Sequence, residues 1–313
     1  MNDADEVMAA PEELPTWLRP LAGALQDLRA NWLGFRPKPR TLPGEPRRSA
    51  VLILFGEGGP PGASIPDVLI TERAATLRAH AGQPAFPGGR IDPEDKGPVH
   101  AALREAQEET GVDPESVAVF GRLPEIYLQP SDFMVASVLG WWHTPSPPRV
   151  VSPLEVAAVH RVPVAELADP SNRLRVRHPA GYIGPAFYAD GMLVWGFTAG
   201  LLDAVLRLGG WEQPWDHGRL EDLPEEVAAL AVRSSSIRPA DQRPFATGAD
   251  GLEDATALNG SAVSGAPVDD PAVDDAAVDD AAVDGSAADD SAARDASANN
   301  TDSTGGLAGT GGE

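Results

Sequence analysis

The sequence predicts an α/β fold: a mixed sheet sandwiched by helices, followed by an acidic tail that stays disordered. Three observations predict it. Short runs rich in β-formers stand before and after one sharply punctuated helical segment, a second apolar-striped helix closes the folded part, and the composition changes abruptly near residue 246. The 313 residues carry a formal charge of −23, and residues 246–313 hold fifteen acids against one base, Arg294. The tail therefore contributes −14 and the rest of the chain −9, an ordinary balance for an acidic globular domain. Cysteine is absent, which excludes disulfides and thiolate metal sites, so any metal must be held by oxygen or imidazole. No apolar run reaches the roughly 18–20 residues that span a bilayer. The amino-terminal MNDADEVMAAPEELP lacks the basic-then-apolar order of a signal peptide, which makes the cytoplasm the expected location. Acidity also argues against a nucleic-acid partner, because such a surface repels phosphates.

The elements follow in order. Residues 1–45 read as an N-terminal helical extension, in which Pro15 to Phe35 is helical: Trp17, Leu18, Leu21, Leu25 and Leu28 recur near helical spacing, and Pro37, Pro39 and Pro43 stop it. Residues 46–235 form the main domain. Ser49–Phe55 and Asp67–Thr71 are its first strands, joined by a Gly/Pro-rich, hairpin-like connection. A helix runs from Pro98, suited to a first turn, to Gly111, suited to the residue past the last. Val117–Arg122, Met134–Trp142 and Val156–Val162 are later strands. Trp195–Leu208 is the closing helix, with Leu201, Leu202, Val205 and Leu206 in one stripe and Gly209-Gly210 as its stop. Residues 246–313 form the tail, where Val268, Val273, Val278 and Val283 repeat every five residues. That period matches neither helix nor strand, and the segment has too little apolar surface to offset about 1–2 kcal/mol per residue of backbone ordering.

The chemistry lies in GGRIDPEDKGPVHAALREAQEETGV, from Gly88 to Val112. At about 100° per residue, Glu105, Glu108 and Glu109 share one side of the helix, while Val99, Leu103 and Ala106 face elsewhere. Like charges so placed repel by several tenths of a kcal/mol per pair in an isolated helix. A solvated face is the ordinary reading of EAQEE alone. Arg104 beside the first glutamate, and a diglycine after Phe86-Pro87, change the balance, since glycines let backbone groups approach a ligand closely. Clustered carboxylates with an exposed carbonyl make a hard-oxygen site suited to Mg²⁺ or Mn²⁺.

Here the sequence resembles the Nudix hydrolases, whose signature is G-x5-E-x7-R-E-U-x-E-E-x-G-U with U a bulky apolar residue. Its second half stands as Arg104-Glu105-Ala106-Gln107-Glu108-Glu109-Thr110-Gly111-Val112. In the first half, Asp95 takes the place of the first glutamate, and eight residues rather than seven separate it from Arg104. That spacing resembles the coenzyme A pyrophosphatase branch, as does the upstream Leu69-Ile70-Thr71-Glu72-Arg73, Leu77-Arg78, His80, Gly82-Gln83 and Phe86-Pro87-Gly88-Gly89. Glu155-Val156-Ala157 and Val194–Ala199 add to the likeness, which spans Ser49 to Leu208.

The resemblance implies a Nudix-type α/β/α sandwich and metal-dependent hydrolysis of the diphosphate bond of coenzyme A or its derivatives. It implies Glu105, Glu108, Glu109 and the Gly88 carbonyl as metal ligands and Glu105, Glu108 and Arg104 as the catalytic group, with the general base left open. Arg104 orients Glu105. Arg73, Arg78, His80 and Gln83 are the expected contacts to the small-molecule substrate, whose three phosphates need local cations in an acidic protein. Glu155 is weighed as a further metal contact and left unassigned, and Trp195 is read as core. Two rival readings keep the fold: another substrate, such as ADP-ribose or a dinucleotide, or a non-catalytic Nudix-like binding module.

Overall fold

Strand alternation builds two cores on one sheet. In the computed structural model, which describes residues 8–26, 28, 44–59, 64–77, 80–128 and 131–234, the chain runs α1 (Arg19–Gln26), β1 (Arg47–Gly58), β2 (Ile65–Arg73), β3 (Pro84–Ala85), β4 (Gly88–Arg90) and α2 (Pro98–Thr110). It continues β5 (Val117–Leu128), β6 (Phe133–Trp142), β7 (Val156–Pro163), α3 (Val164–Ala168), β8 (Arg173–Arg177), β9 (Ile183–Ala189), β10 (Met192–Val194), α4 (Gly196–Leu208), β11 (Leu220–Asp222) and α5 (Glu225–Ser234). Arg78 and the acidic tail lie outside the described residues. No described helix is long and apolar enough to cross a membrane.

The first sheet has seven strands in the order β3-β2-β1-β6-β5, with β4 beside β1 and β7 beside β2. β1 and β6 run parallel, and the other pairs antiparallel, so the sheet is mixed as expected. Because successive strand residues point to opposite faces, Ala50, Leu52 and Leu54 of β1 pack against Ala101, Ala102 and Ala106 of α2. Ile53 and Phe55 pack on the other face with Leu21 of α1 and Leu201, Leu202 and Val205 of α4. Helices thus cover both faces. On α2 the buried apolar side chains facing the sheet are three alanines, Ala101, Ala102 and Ala106, with Val99 and Leu103 only partly covered, so the helix backbone lies close to the sheet. Gly111 closes α2 in the left-handed conformation, φ 71°, its amide donating to the Gln107 carbonyl.

Two expectations change. The N-terminal helix begins at Arg19 rather than Pro15 and, among the described residues, ends at Gln26. Pro20 explains the later start: it is tolerated only in a first turn, and in a helix begun at Pro15 its ring would meet the carbonyl of residue 16. Residues 29–35 of the expected helix lie outside the described residues. The second change is an additional sheet, β10-β9-β8-β11. Its β9–β10 hairpin turns at Asp190-Gly191, both at positive φ (47° and 75°), the Asp-Gly signature of a two-residue turn. Arg173 on β8 is fully buried, ion-paired with Asp203 and with Glu212 at 3.0 Å, and flanked by the rings of Phe187 and Trp215.

Candidate active site

The diglycine loop and α2 meet because β4 pairs with β1. Gly88 lies opposite Val51 and Gly89 opposite Ala50. A Cβ on Gly88 would stand 2.7 Å from the Val51 Cα, and one on Gly89 would stand 2.5 Å from the Glu105 Cδ, so neither position has room for a side chain. Gly89→Ala is therefore expected to displace the Glu105 carboxylate, lowering kcat at least tenfold while thermal unfolding stays near that of the parent.

Glu105 and Glu109 project from α2 toward this loop. The Gly88 amide donates to Glu109 Oε2 at 3.1 Å. Glu109 is 2% exposed, and burial pushes its carboxyl up to about 7, with the Glu105 and Glu155 charges adding and the Gly88 hydrogen bond and the Arg73 charge opposing. Glu105 is also raised, mainly by burial, against the pull of Arg104.

Glu155 completes the group. Carboxylate oxygens of Glu105, Glu109 and Glu155 all lie within 4.8 Å of one another. The segment before β7 brings Glu155 there by backbone bonds: Arg149 N to Thr110 O (3.0 Å) and Val151 N to Glu109 O (3.0 Å) fasten it to the end of α2, and Ala74 N to Glu155 O (2.8 Å) fastens it to β2. In sequence Glu155 is marked by the Glu155-Val156-Ala157 likeness and by its place just before a strand, while its partners are about fifty residues away.

Glu108 is placed differently. Its side chain is 57% exposed and accepts from Arg104 Nη1 at 3.1 Å. Arg104 joins several groups: Nε donates to Asp95 Oδ1 (3.1 Å), and Nη2 donates to Asp95 Oδ2 (3.0 Å), the Arg90 carbonyl (3.1 Å) and Glu105 Oε1 (3.1 Å). The Asp95 side chain is 1% exposed. It is held at about 2, first by the Arg104 hydrogen bonds, and also by the Asp92 amide and His100. Arg104 is driven further above its usual range by the same carboxylate. The longer spacing in the signature thus still delivers an acid to the Nε–Nη2 edge of the guanidinium.

The expected substrate contacts line the neighbouring loop. Arg73 ends β2, and its Nε is buried with no hydrogen-bond partner among the described residues. Its backbone holds the loop, with Arg73 N donating to Gln83 O (3.1 Å) and Gly82 N to Arg73 O (3.0 Å). His80 Nδ1 lies 3.0 Å from Gln83 Oε1, and His80 sits at φ 57°. Arg78 falls outside the described residues. Trp195, at the N-cap of α4, is half-buried and stacks with His178 at 5.8 Å between ring centroids.

The donor set suits a hard divalent ion: three carboxylates in mutual reach, with no thiolate or imidazole, one of them buried and in need of a counter-charge.

A family model described as NUDIX domain matches residues 45–183. A protein named Uncharacterized Nudix hydrolase NudL from Cronobacter sakazakii is 40% identical over 172 residues, covering 52% of this chain and 83% of the relative. Its counterpart from Citrobacter koseri is 36% identical over 201 residues, covering 59% of this chain and 95% of the relative. The crystal structure of a Nudix hydrolase from M. smegmatis, RenU, aligns with TM-score 0.39 at 18% identity, over 56% of this chain and 92% of that one.

Proposed function

The chain belongs to the Nudix hydrolase family, and from that premise we propose that it hydrolyses the diphosphate bond of coenzyme A or its derivatives, giving 4′-phosphopantetheine and adenosine 3′,5′-bisphosphate. The observation that carries this reading is the meeting of three carboxylates beside a diglycine loop and an arginine whose buried Nε has no partner among the described residues. Glu105, Glu109 and Glu155, with Glu108 and the Gly88 carbonyl, would hold Mg²⁺ or Mn²⁺. Bound there, a divalent ion would neutralise the diphosphate oxygens and acidify the attacking water.

The remaining roles belong to the chain. Arg104 positions Glu105 and is itself fixed by Asp95. A carboxylate of the Glu105–Glu109 pair takes the proton of the attacking water. Arg73, Arg78, His80 and Gln83 bind the substrate phosphates, and the unpartnered Arg73 Nε is a donor waiting for an anion. A cytoplasmic setting belongs to the same proposal. The upstream Leu69–Gly89 motif favours coenzyme A over ADP-ribose. Purified protein incubated with coenzyme A and Mn²⁺, with ADP-ribose in parallel and products identified by mass, tests the choice. Cleavage of coenzyme A to the two named products at the higher kcat/KM is expected; faster cleavage of ADP-ribose would move the substrate assignment to that class.

A further inference from the structure

The second sheet and α5 carry an apolar strip to the edge of the loop that holds Arg73 and Gln83. On β10, Met192 and Val194 turn into the core shared with α1 and α4. Trp195 continues the strand in extended conformation, φ −149° and ψ 179°, so Leu193 and Trp195 turn to the opposite side by the strand period. There they pack against Val176, Ala186 and Leu223, and α5 adds Val227 to the same cluster. Leu230 follows one turn beyond Val227 on the same helix face. Its Cδ1 stands 3.7 Å from where a Cβ on Gly82 would lie.

The strip thus ends where the cationic loop begins. The Gly82 amide donates to the Arg73 carbonyl and Arg73 N to the Gln83 carbonyl, so Leu230 stands over the backbone that links these two residues. Trp195 is fastened to the same stretch, because Thr198 Oγ1 in the first turn of α4 donates to the Pro84 carbonyl at 3.0 Å. The indole is half-buried, and the His178 ring lies against it with 29° between the planes. The Ala180 amide donates to His178 Nδ1 at 3.0 Å. An amide N–H can only donate, so Nδ1 holds the lone pair and Nε2 carries the hydrogen. Burial favours this neutral ring. Among the described residues none accepts from the Nε2–H.

We infer, resting on the hydrolysis proposed above, that Trp195 and Leu230, with the His178 N–H beside them, form the wall on which the adenine ring of the substrate stacks. The base then lies on the strip, the diphosphate lies between the Arg73 loop and the carboxylates, and the pantetheine arm leaves on the other side. Leu193, Trp195, Val227 and Leu230 carry no charge, so the strip has nothing to hold a phosphate. A purine offers a flat face to an indole and ring nitrogens that accept from an N–H. The pantetheine arm is a flexible chain with no such face. An apolar wall with one oriented donor beside it is the usual composition of a small-molecule site.

Calorimetric titration of adenosine 3′,5′-bisphosphate and of 4′-phosphopantetheine into the full-length chain with Mn²⁺ tests the wall, since only the first carries the ring. Trp195→Ala should weaken adenosine 3′,5′-bisphosphate about 10–100-fold and leave 4′-phosphopantetheine unchanged, and Trp195→Phe should restore most of the loss. Leu230→Ser, on the partly exposed face of α5, should weaken the same ligand about fivefold, which keeps the test open where Trp195→Ala fails to fold. In turnover of coenzyme A, Trp195→Ala should raise KM by a similar factor with kcat little changed. Affinity for adenosine 3′,5′-bisphosphate that is absent in the parent or unaltered in both variants would overturn the inference. Equal weakening of both ligands, or weakening of 4′-phosphopantetheine alone, would overturn it too. A parent that binds adenosine 3′,5′-bisphosphate through Trp195 yet leaves coenzyme A intact would support the wall and remove the substrate assignment.

Discussion

Glu109→Gln is expected to lower kcat/KM at least a thousandfold while leaving the fold intact and, without metal, more stable at pH 8 than the parent. Both effects come from the same burial. The carboxylate is shut from solvent against the Gly88 amide, and its folded value rises to about 7 from the usual 4.5. The folded state therefore prefers the protonated carboxyl. The stability this preference gives is fully present below about pH 4.5 and lost as pH rises through 7, a difference of about 3 kcal/mol. Glutamine cannot ionise, so it avoids that loss, and its side-chain oxygen can still accept from Gly88. It cannot supply the negative charge a cation needs. The parent should accordingly bind Mn²⁺ more tightly as pH rises through 7, releasing a proton on binding, whereas the variant should lose the share of that dependence that Glu109 supplies. Urea denaturation at pH 5 and 8, with kcat/KM at pH 8, checks the pair of effects. A variant that is both active and less stable at pH 8 would remove the role assigned to this carboxylate. Glu108→Gln is also expected to impair turnover, through the ligand role proposed for it.

The second large effect is at Asp95. Asp95→Ala leaves the Arg104 guanidinium without the buried acceptor of its Nε and Nη2 groups. A hydrogen-bonded charge so deprived costs about 2–3 kcal/mol, and with Arg104 free to swing, Glu105 loses the donor that fixes its Oε1. The expected result is a lower urea midpoint, with kcat reduced tenfold or more and KM for the substrate little changed. Because Asp95 is held at about 2, its pair with Arg104 should persist in acid to near that pH. A variant with the stability and kcat of the parent would show that Arg104 is positioned by its other partners alone.

Locally punctuated elements were the most legible in the sequence. Pro98 and Gly111 bound α2, and Gly209-Gly210 bounds α4, because a missing amide and a left-handed residue act within one turn and need no distant partner. The expected strand cores were legible as well, four of them within three residues of the observed span, while β5 runs six residues past Arg122. Glu105 and Glu109 could be placed together from helix periodicity. Glu155 could not be assigned this way, since its place depends on backbone bonds to α2 and β2 from a loop that carries no periodic signal. Glu108 shows the limit of the helical wheel, which orders directions around an axis but does not say that Arg104 would take this side chain outward. The second sheet was hidden for another reason. RLRVR reads as polar, and only tertiary partners, Asp203 and Glu212 on the guanidinium and Phe187 and Trp215 at its sides, make a buried Arg173 tolerable. Its Asp190-Gly191 turn was the one local clue. At the N-terminus, Pro20 outweighed an apolar repeat that by itself supports a longer helix.

Mn²⁺ binding to the full-length chain, followed by the electron paramagnetic resonance of free Mn²⁺, tests most directly whether these carboxylates grip the ion that hydrolysis needs. The parent should remove Mn²⁺ from solution through a strong class of sites that is absent when Glu105 and Glu109 are both glutamine, with coenzyme A cleavage lost in step. Equal uptake by the parent and the double variant, or cleavage that continues in the variant, would contradict the account.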